Sequence, residues 1–151
     1  MHKPRPWLAV WFVALWLAGP GLAVAADCPH IDVAPVAIAG ETAGSIRGPD
    51  GKPILVKAPV ITLADITGAS MSRAEGQDGI GFTISPAAGQ RLGAYTTANV
   101  GAQLAFIIDG RARLVAKILD PMKGGAIWIS PFPAAEGAAL AERVNRCVRR
   151  N

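Results

Sequence analysis

Two cysteines, two histidines and eleven carboxylates are the most reactive side chains of this 151-residue chain. Cys28 and Cys147 stand far apart in sequence. Such a pair forms a disulfide, stays as two free thiols or shares a metal. A zinc site takes four ligands, and with His2 at the extreme start only His30 remains to join the cysteines, so a zinc site lacks ligands. Ser85 is followed by Pro86, which reads as a helix start rather than a nucleophile: a hydroxyl to cap free N–H groups and a ring preset for the first helical position. Asp65, Asp78, Asp109 and Asp120 each lie in or beside a turn signal, where aspartate serves backbone geometry. Gly124-Gly125 follows Lys123 and precedes a strand, which is not the strand-loop-helix setting of a phosphate cradle. No nucleophile stands out with a base beside it. The chain reads as a non-enzyme, with no catalytic, cofactor-binding or metal-ligating residues and no cofactor.

The first residues decide the compartment. His2, Lys3 and Arg5 make a positive start, Trp7 to Ala18 is apolar, and Gly19-Pro20-Gly21 breaks the run before the small residues Ala23 to Ala26. This is the pattern of a secretory signal peptide over residues 1–26, cleaved near Ala25 or Ala26. The alternative is an uncleaved anchor, since Trp7 to Ala26 is uncharged. Asp27 before Cys28 does not suit a lipoprotein signal. Cleavage leaves residues 27–151 as one domain, in the periplasm, with no stable membrane insertion. It removes two bases and no acid, so the formal charge of +4 falls to +2. That small excess argues against a nucleic-acid partner. In an exported protein an even cysteine count favours a Cys28–Cys147 disulfide. Closing so long a loop stabilises by up to about 4–5 kcal/mol in the chain-entropy model.

The elements follow from periodicity and punctuation. Gly81 to Ser85 alternates as a strand with Phe82 and Ile84 on one face. Ala87 to Val100 is a helix whose Ala88, Leu92, Tyr95 and Asn99 share a face, and Gly101 is placed to end it in the left-handed conformation. Leu104 to Ile108 and Arg111 to Ile118 flank Asp109-Gly110, a strong two-residue hairpin signal. That turn sets Phe106 opposite Arg113 and Ala105 opposite Leu114. Ala126 to Ser130 is a strand, and Ala134 to Arg150 a helix with Leu140, Val144, Cys147 and Val148 inward. Earlier, Ile31 to Ile38 reads as a strand kept at an edge by Pro35. Gly40 to Lys52 reads as a polar loop with a turn at Pro49-Asp50-Gly51. Ile54 to Lys57 and Val60 to Leu63 are strand-like, Asp65 to Met71 holds a short helical turn, and Arg73 to Gly79 is a charged loop. The fold class is α+β: an antiparallel sheet of four or more strands with two main helices on one face. Leu92, Tyr95, Phe82, Ile84, Leu104, Phe106, Ile108, Ile118, Ile127, Ile129, Leu140 and Val144 are the expected core.

Several of these motifs come in a recognisable order. Phe82 to Pro86, then Thr96, Asn99 and Gly101, then Leu104 to Gly110, then Asp120-Pro121, Gly124-Gly125 and Ile129-Ser130 resemble the head of the first periplasmic domain of SecD, an accessory subunit of bacterial protein export. Pro59 to Thr62 with Asp65, Ile66 and Ala69 resembles that family's lead-in. The resemblance covers about Pro59 to Val144. The family's proline after the hairpin is replaced near Ala116, and Pro131 stands where a glycine usually follows. SecD has several membrane-spanning helices, and a freestanding head cannot move protein across a membrane by itself.

The resemblance implies a binding or interaction module that contacts extended polypeptide or the export machinery. An exposed strand edge, or the groove beside the Gly79 to Ser85 strand, would take a peptide by strand addition. Phe82, Met122, Trp128 and Phe132 are the candidate peptide contacts. Trp128 also reads as a core residue, and Phe132 as packed under the last helix. The alternatives are a structural or docking protein of the envelope, whose sign is an exposed apolar patch, and a small-ligand-binding domain, whose sign is a closed pocket.

Overall fold

The computed structural model describes residues 28–150; the expected leader, residues 1–26, lies outside the described residues. Four strands come first: β1 (Ile31–Pro35), β2 (Gly44–Arg47), β3 (Pro53–Val56) and β4 (Ile61–Thr62). A 3-10 turn (Leu63–Asp65) leads into β5 (Ile66–Ala74) and β6 (Gln77–Ile84). Then follow α1 (Pro86–Ala98), β7 (Gln103–Ile108), β8 (Arg111–Lys117), β9 (Ala126–Ile129) and α2 (Ala134–Val148). The class is α+β, as expected, but the strands form two sheets, ordered β3-β2-β8-β7-β1-β4 and β5-β6-β9. Neighbours are antiparallel, apart from a parallel contact that sets Arg47 opposite Arg111.

The β7–β8 hairpin turns on Asp109 and Gly110, both left-handed, with φ of 49° and 76°. Such a pair matches the twist of the flanking strands. The register differs from the expected one: Phe106 faces Leu114 and Ala105 faces Val115. β8 has one extra residue, Arg113, between Ala112 and Leu114. This bulge reverses the alternation of side chains. Ala112 therefore faces one side of the sheet, and Leu114 the other.

Each side has its own core. The six-stranded sheet curls until β3, at one end, meets the continuation of β1: Val36 bridges Val56, Ala37 N–H donates to Leu55 O at 2.8 Å, and Lys57 N–H donates to Pro35 O at 2.8 Å. Inside the curl lie Ala34, Val56, Ala105, Ile107 and Ala112, with Ile46 and Ile54 beside them. So small a barrel has room mainly for small side chains. Gly44 to Arg47, expected as polar loop, is a strand of this wall. Its one apolar residue, Ile46, lies between a serine and an arginine, so its alternation is too short to announce itself. β1 is not an edge either, since β7 and β4 pair on both its sides. β4 reaches only Asp32 and Val33, and beyond its end Pro35 needs only its carbonyl.

The main core lies against the other face of that sheet. Ile31, Val33, Ile61, Leu104, Phe106 and Ile108 pack with Ile80, Phe82, Ile84, Ile127 and Ile129 of the smaller sheet and with Leu92, Leu140 and Val144 of the helices. Ser85 caps α1, its Oγ accepting from Ala88 N–H at 3.3 Å, and Gly101 is left-handed at φ 93°. The buried face of α1 is Ala88, Leu92 and Thr96, with Tyr95 only half-buried. Thr96 is tolerated inside because its hydroxyl donates to Leu92 O at 2.8 Å and accepts from Met122 N–H at 2.9 Å. The helical turn expected over Asp65 to Met71 is instead mostly strand β5, and the charged loop expected over Arg73 to Gly79 is the tip of the β5–β6 hairpin. Its turn is Glu75-Gly76, left-handed at both residues. β5 is half serine, glycine and threonine outward, which hides the strand in the sequence. Its inward Met71 meets α2 where Gly137 leaves space. Cys28 and Cys147 are bonded, with Cα atoms 5.8 Å apart, and tie the chain ahead of β1 to the end of α2.

Candidate functional site

Strand addition needs an edge, and β6 offers none. It is the middle strand of its sheet, paired to β5 on one side and β9 on the other. The expectation of a binding groove along Gly79 to Ser85 is therefore corrected: the edges are those of β5 and β9.

The β5 edge is partly closed. The side-chain amide of Asn145, on α2, accepts from Ala69 N–H at 2.9 Å and donates to Ala69 O at 2.8 Å. It occupies the groups that a neighbouring strand would use. The β9 edge is open. Ile84 N–H donates to Gly125 O, and Phe132 N–H donates to Asp78 O. In an antiparallel ladder these groups alternate between the two sides. Ile127 and Ile129 therefore bond to β6, while the N–H and C=O of Ala126 and Trp128 face outward. Pro131, in a cis peptide after Ser130, has no N–H to continue the ladder to β6, and Phe132 N–H takes Asp78 O instead.

Trp128 is 43% exposed, which corrects the reading of it as core. Its indole lies over β6, where Gly79 and Gly81 leave the outer face bare. A Cβ at Gly79 would sit 2.5 Å from the ring. The indole N–H donates to Ser72 Oγ at 3.0 Å, which fixes the ring across the sheet. The signal was in the sequence: glycines two apart in a strand bare one face, and a tryptophan on the neighbouring strand fills it.

The other candidate contacts divide. Phe82 and Phe132 are buried, at 2% and 4% exposed, so neither reaches a peptide. Phe132 packs by α2 with the Arg113 guanidinium 5.0 Å from its ring centre, and Arg113 pairs with Glu136 at 2.7 Å. Met122 is half-buried and helps wall an open groove of about 440 Å³ along α1. Gly89 and Gly93 lie on its helix side, and the chain from Met122 to Gly125 forms the opposite wall. That wall runs directly into β9, so groove and edge are continuous along the chain.

Of the turn aspartates, Asp65 and Asp109 hold the scaffold. Asp109 Oδ1 accepts from His30 N–H at 2.9 Å, and Oδ2 from Arg143 at 3.0 Å. Burial pushes its pKa up, but the Arg143 and His30 hydrogen bonds outweigh this and hold it below the usual range. The His30 ring meets Asp32 at 2.7 Å on the surface. Ser85 Oγ serves its helix, as described.

The chain matches the model of the SecDF P1 head subdomain over residues 41–143. The match begins before Pro59 and includes the β2–β3 hairpin that closes the small barrel. No curated protein sequence matches. Among solved structures, a chain of SecDF, a membrane component that enhances protein export, aligns at 18% identity and TM-score 0.64, covering 80% of this chain and 63% of that one. SecDF in a super-membrane-facing form aligns at 18% identity and TM-score 0.63, over 77% of this chain and 18% of the other. SecDF from Thermus thermophilus, a translocon-associated membrane protein, aligns at 18% identity and TM-score 0.51, over 80% and 20%. This chain thus spans less than two thirds of each, and no helix among its described residues is long and apolar enough to cross a membrane. With more than half its length matched and the same fold, the chain belongs to the SecDF P1 head subdomain family.

Proposed function

We propose that the chain is a non-enzymatic binding module of the periplasm, exported with its leader removed near Ala25 or Ala26, that takes up extended polypeptide in connection with protein export. The observation that carries this reading is the free β9 edge. Outward N–H and C=O groups at Ala126 and Trp128 suit an incoming strand, and the α1 groove extends the track past Met122. Family membership and the disulfide support the compartment and the link to export. A closed-pocket ligand finds little support, since the enclosed apolar cavity between the sheets holds about 10 Å³, at most a single water.

Titration of the mature protein with an unfolded polypeptide, followed by NMR, tests the reading. Amide signals of Ala126 to Ser130 are expected to shift first. Ala126→Pro removes an outward N–H while sparing the ladder to β6, and is expected to weaken binding about tenfold with the fold intact. Unmoved signals at millimolar peptide would remove the proposal. Docking on an envelope complex is the second reading, favoured by exposed Ile38 and Leu55, 72% and 46% accessible, which adjoin where the barrel closes. Photocrosslinking in cells from position 55 but not from position 126 would favour it.

A further inference from the structure

We propose that the start of β8 holds a second site, a cleft walled by Arg111 with Arg47 beside it, which takes the carboxylates of an acidic polypeptide segment on these two arginines. The two arginines are direct partners across the parallel β2–β8 contact. Their neighbours Ile46 and Ala112 belong to the barrel core, so both guanidinium groups project outward on the same face, and both residues are exposed. Like charges set directly opposite on neighbouring strands repel.

No acid among the described residues relieves this pair. Among the described residues neither arginine is in an ion pair. The nearby carboxylates are already engaged: Asp50 with Lys52, Asp109 with Arg143 and Glu136 with Arg113. Of the two, Arg111 is also housed. Arg111, Arg113, Ala112 and Pro49 line an open cleft of about 360 Å³. Arg113 is held there by the Phe132 ring and Glu136, and lies on the side of Arg111 because the two are two residues apart in the strand. Paired guanidinium groups with free donor edges fit carboxylate oxygens. Polypeptide is the occupant favoured because the site lies on the same chain as an open β-edge. In that respect the inference rests on the function proposed above.

The test uses the mature protein and a capped Gly-Ser peptide carrying two adjacent glutamates. The glutamate peptide is expected to shift the amides of Arg47, Arg111 and Ala112, and its glutamine counterpart to leave them in place. Arg47→Gln and Arg111→Gln are each expected to weaken binding about tenfold, the size of one charge-assisted hydrogen bond. Both side chains are exposed and each substitution removes one of two opposed like charges, so melting temperatures should not fall. Equal binding of the glutamine peptide, or undiminished binding by both variants, overturns the proposal. So does an arginine-dependent response to inorganic phosphate or phosphatidylglycerol vesicles that exceeds the response to the glutamate peptide. Failure here leaves the shifts of Ala126 to Ser130 in place, whereas failure of the β9 edge is read at those residues alone.

Discussion

Asp65 shows how much of the scaffold one carboxylate joins. It accepts Thr62 N–H at 3.0 Å and the Arg91 guanidinium at 2.6 Å, while its own carbonyl accepts Ser85 N–H at 2.9 Å. The 3-10 turn, the cap of α1 and the helix surface therefore meet there. Burial pushes the Asp65 pKa up; the Arg91 and Thr62 hydrogen bonds pull it down further, so it ends below the usual value. A depressed folded pKa means stability that is present above the unfolded pKa and lost as pH falls through the folded one. Asp65→Asn should therefore cost about 1–2 kcal/mol at neutral pH, its side chain being only 18% exposed. The gap to the parent protein should close below about pH 4 as the parent carboxylate protonates. Urea melts across that range measure it, and a gap unchanged at pH 2.5 would assign the effect to something other than the charge.

At the scale of elements, what was legible depended on punctuation. Asp109-Gly110 and Ser85-Pro86 are local signals whose meaning does not depend on distant residues, and the hairpin and helix form where they say. β2 and β5 were hidden because their outward faces are serine, glycine and charge, and their inward residues matter only once α2 and the barrel wall are in place. The β8 bulge was hidden for a related reason: either register satisfies the turn, and only the demand for Leu114 in the main core selects one. The open β9 edge could be suspected from the paired glycines and Trp128, but the closing of the β5 edge could not, since Asn145 is 76 residues from Ala69. This contact is open to measurement. Asn145→Ala should lower stability by about 2 kcal/mol, two hydrogen bonds at roughly 1 kcal/mol each. Asn145→Asp should cost at least as much, because a carboxylate cannot donate to Ala69 O. Denaturant midpoints should fall with little change in slope; an alanine variant as stable as the parent would mean water replaces the amide without loss.

For the molecule as a whole, the decisive fact is that the first strand in sequence is an inner strand of the larger sheet. β1 lies between β7 and β4, and its continuation at Val36 closes the small barrel on β3. A frayed start would thus loosen both cores together. Three ties hold it: the Cys28–Cys147 bond, the mutual backbone and side-chain hydrogen bonds of His30 and Asp109, and the Arg143 pair that links Asp109 to α2. The bond joins residues 119 apart, and in the chain-entropy model a loop that long gives up to about 4–5 kcal/mol. A Cys28→Ser, Cys147→Ser double variant should therefore lose several kcal/mol, seen as a lowered urea midpoint. The oxidised parent treated with reductant should move to the same midpoint. Hydrogen exchange should place the loss in β1 and β7 before β5 and β6, because the smaller sheet is joined by its own hairpin and by α2. If the reduced and oxidised forms melt together, β1 is held by its ladder alone, and the end of α2 owes nothing to the chain's start.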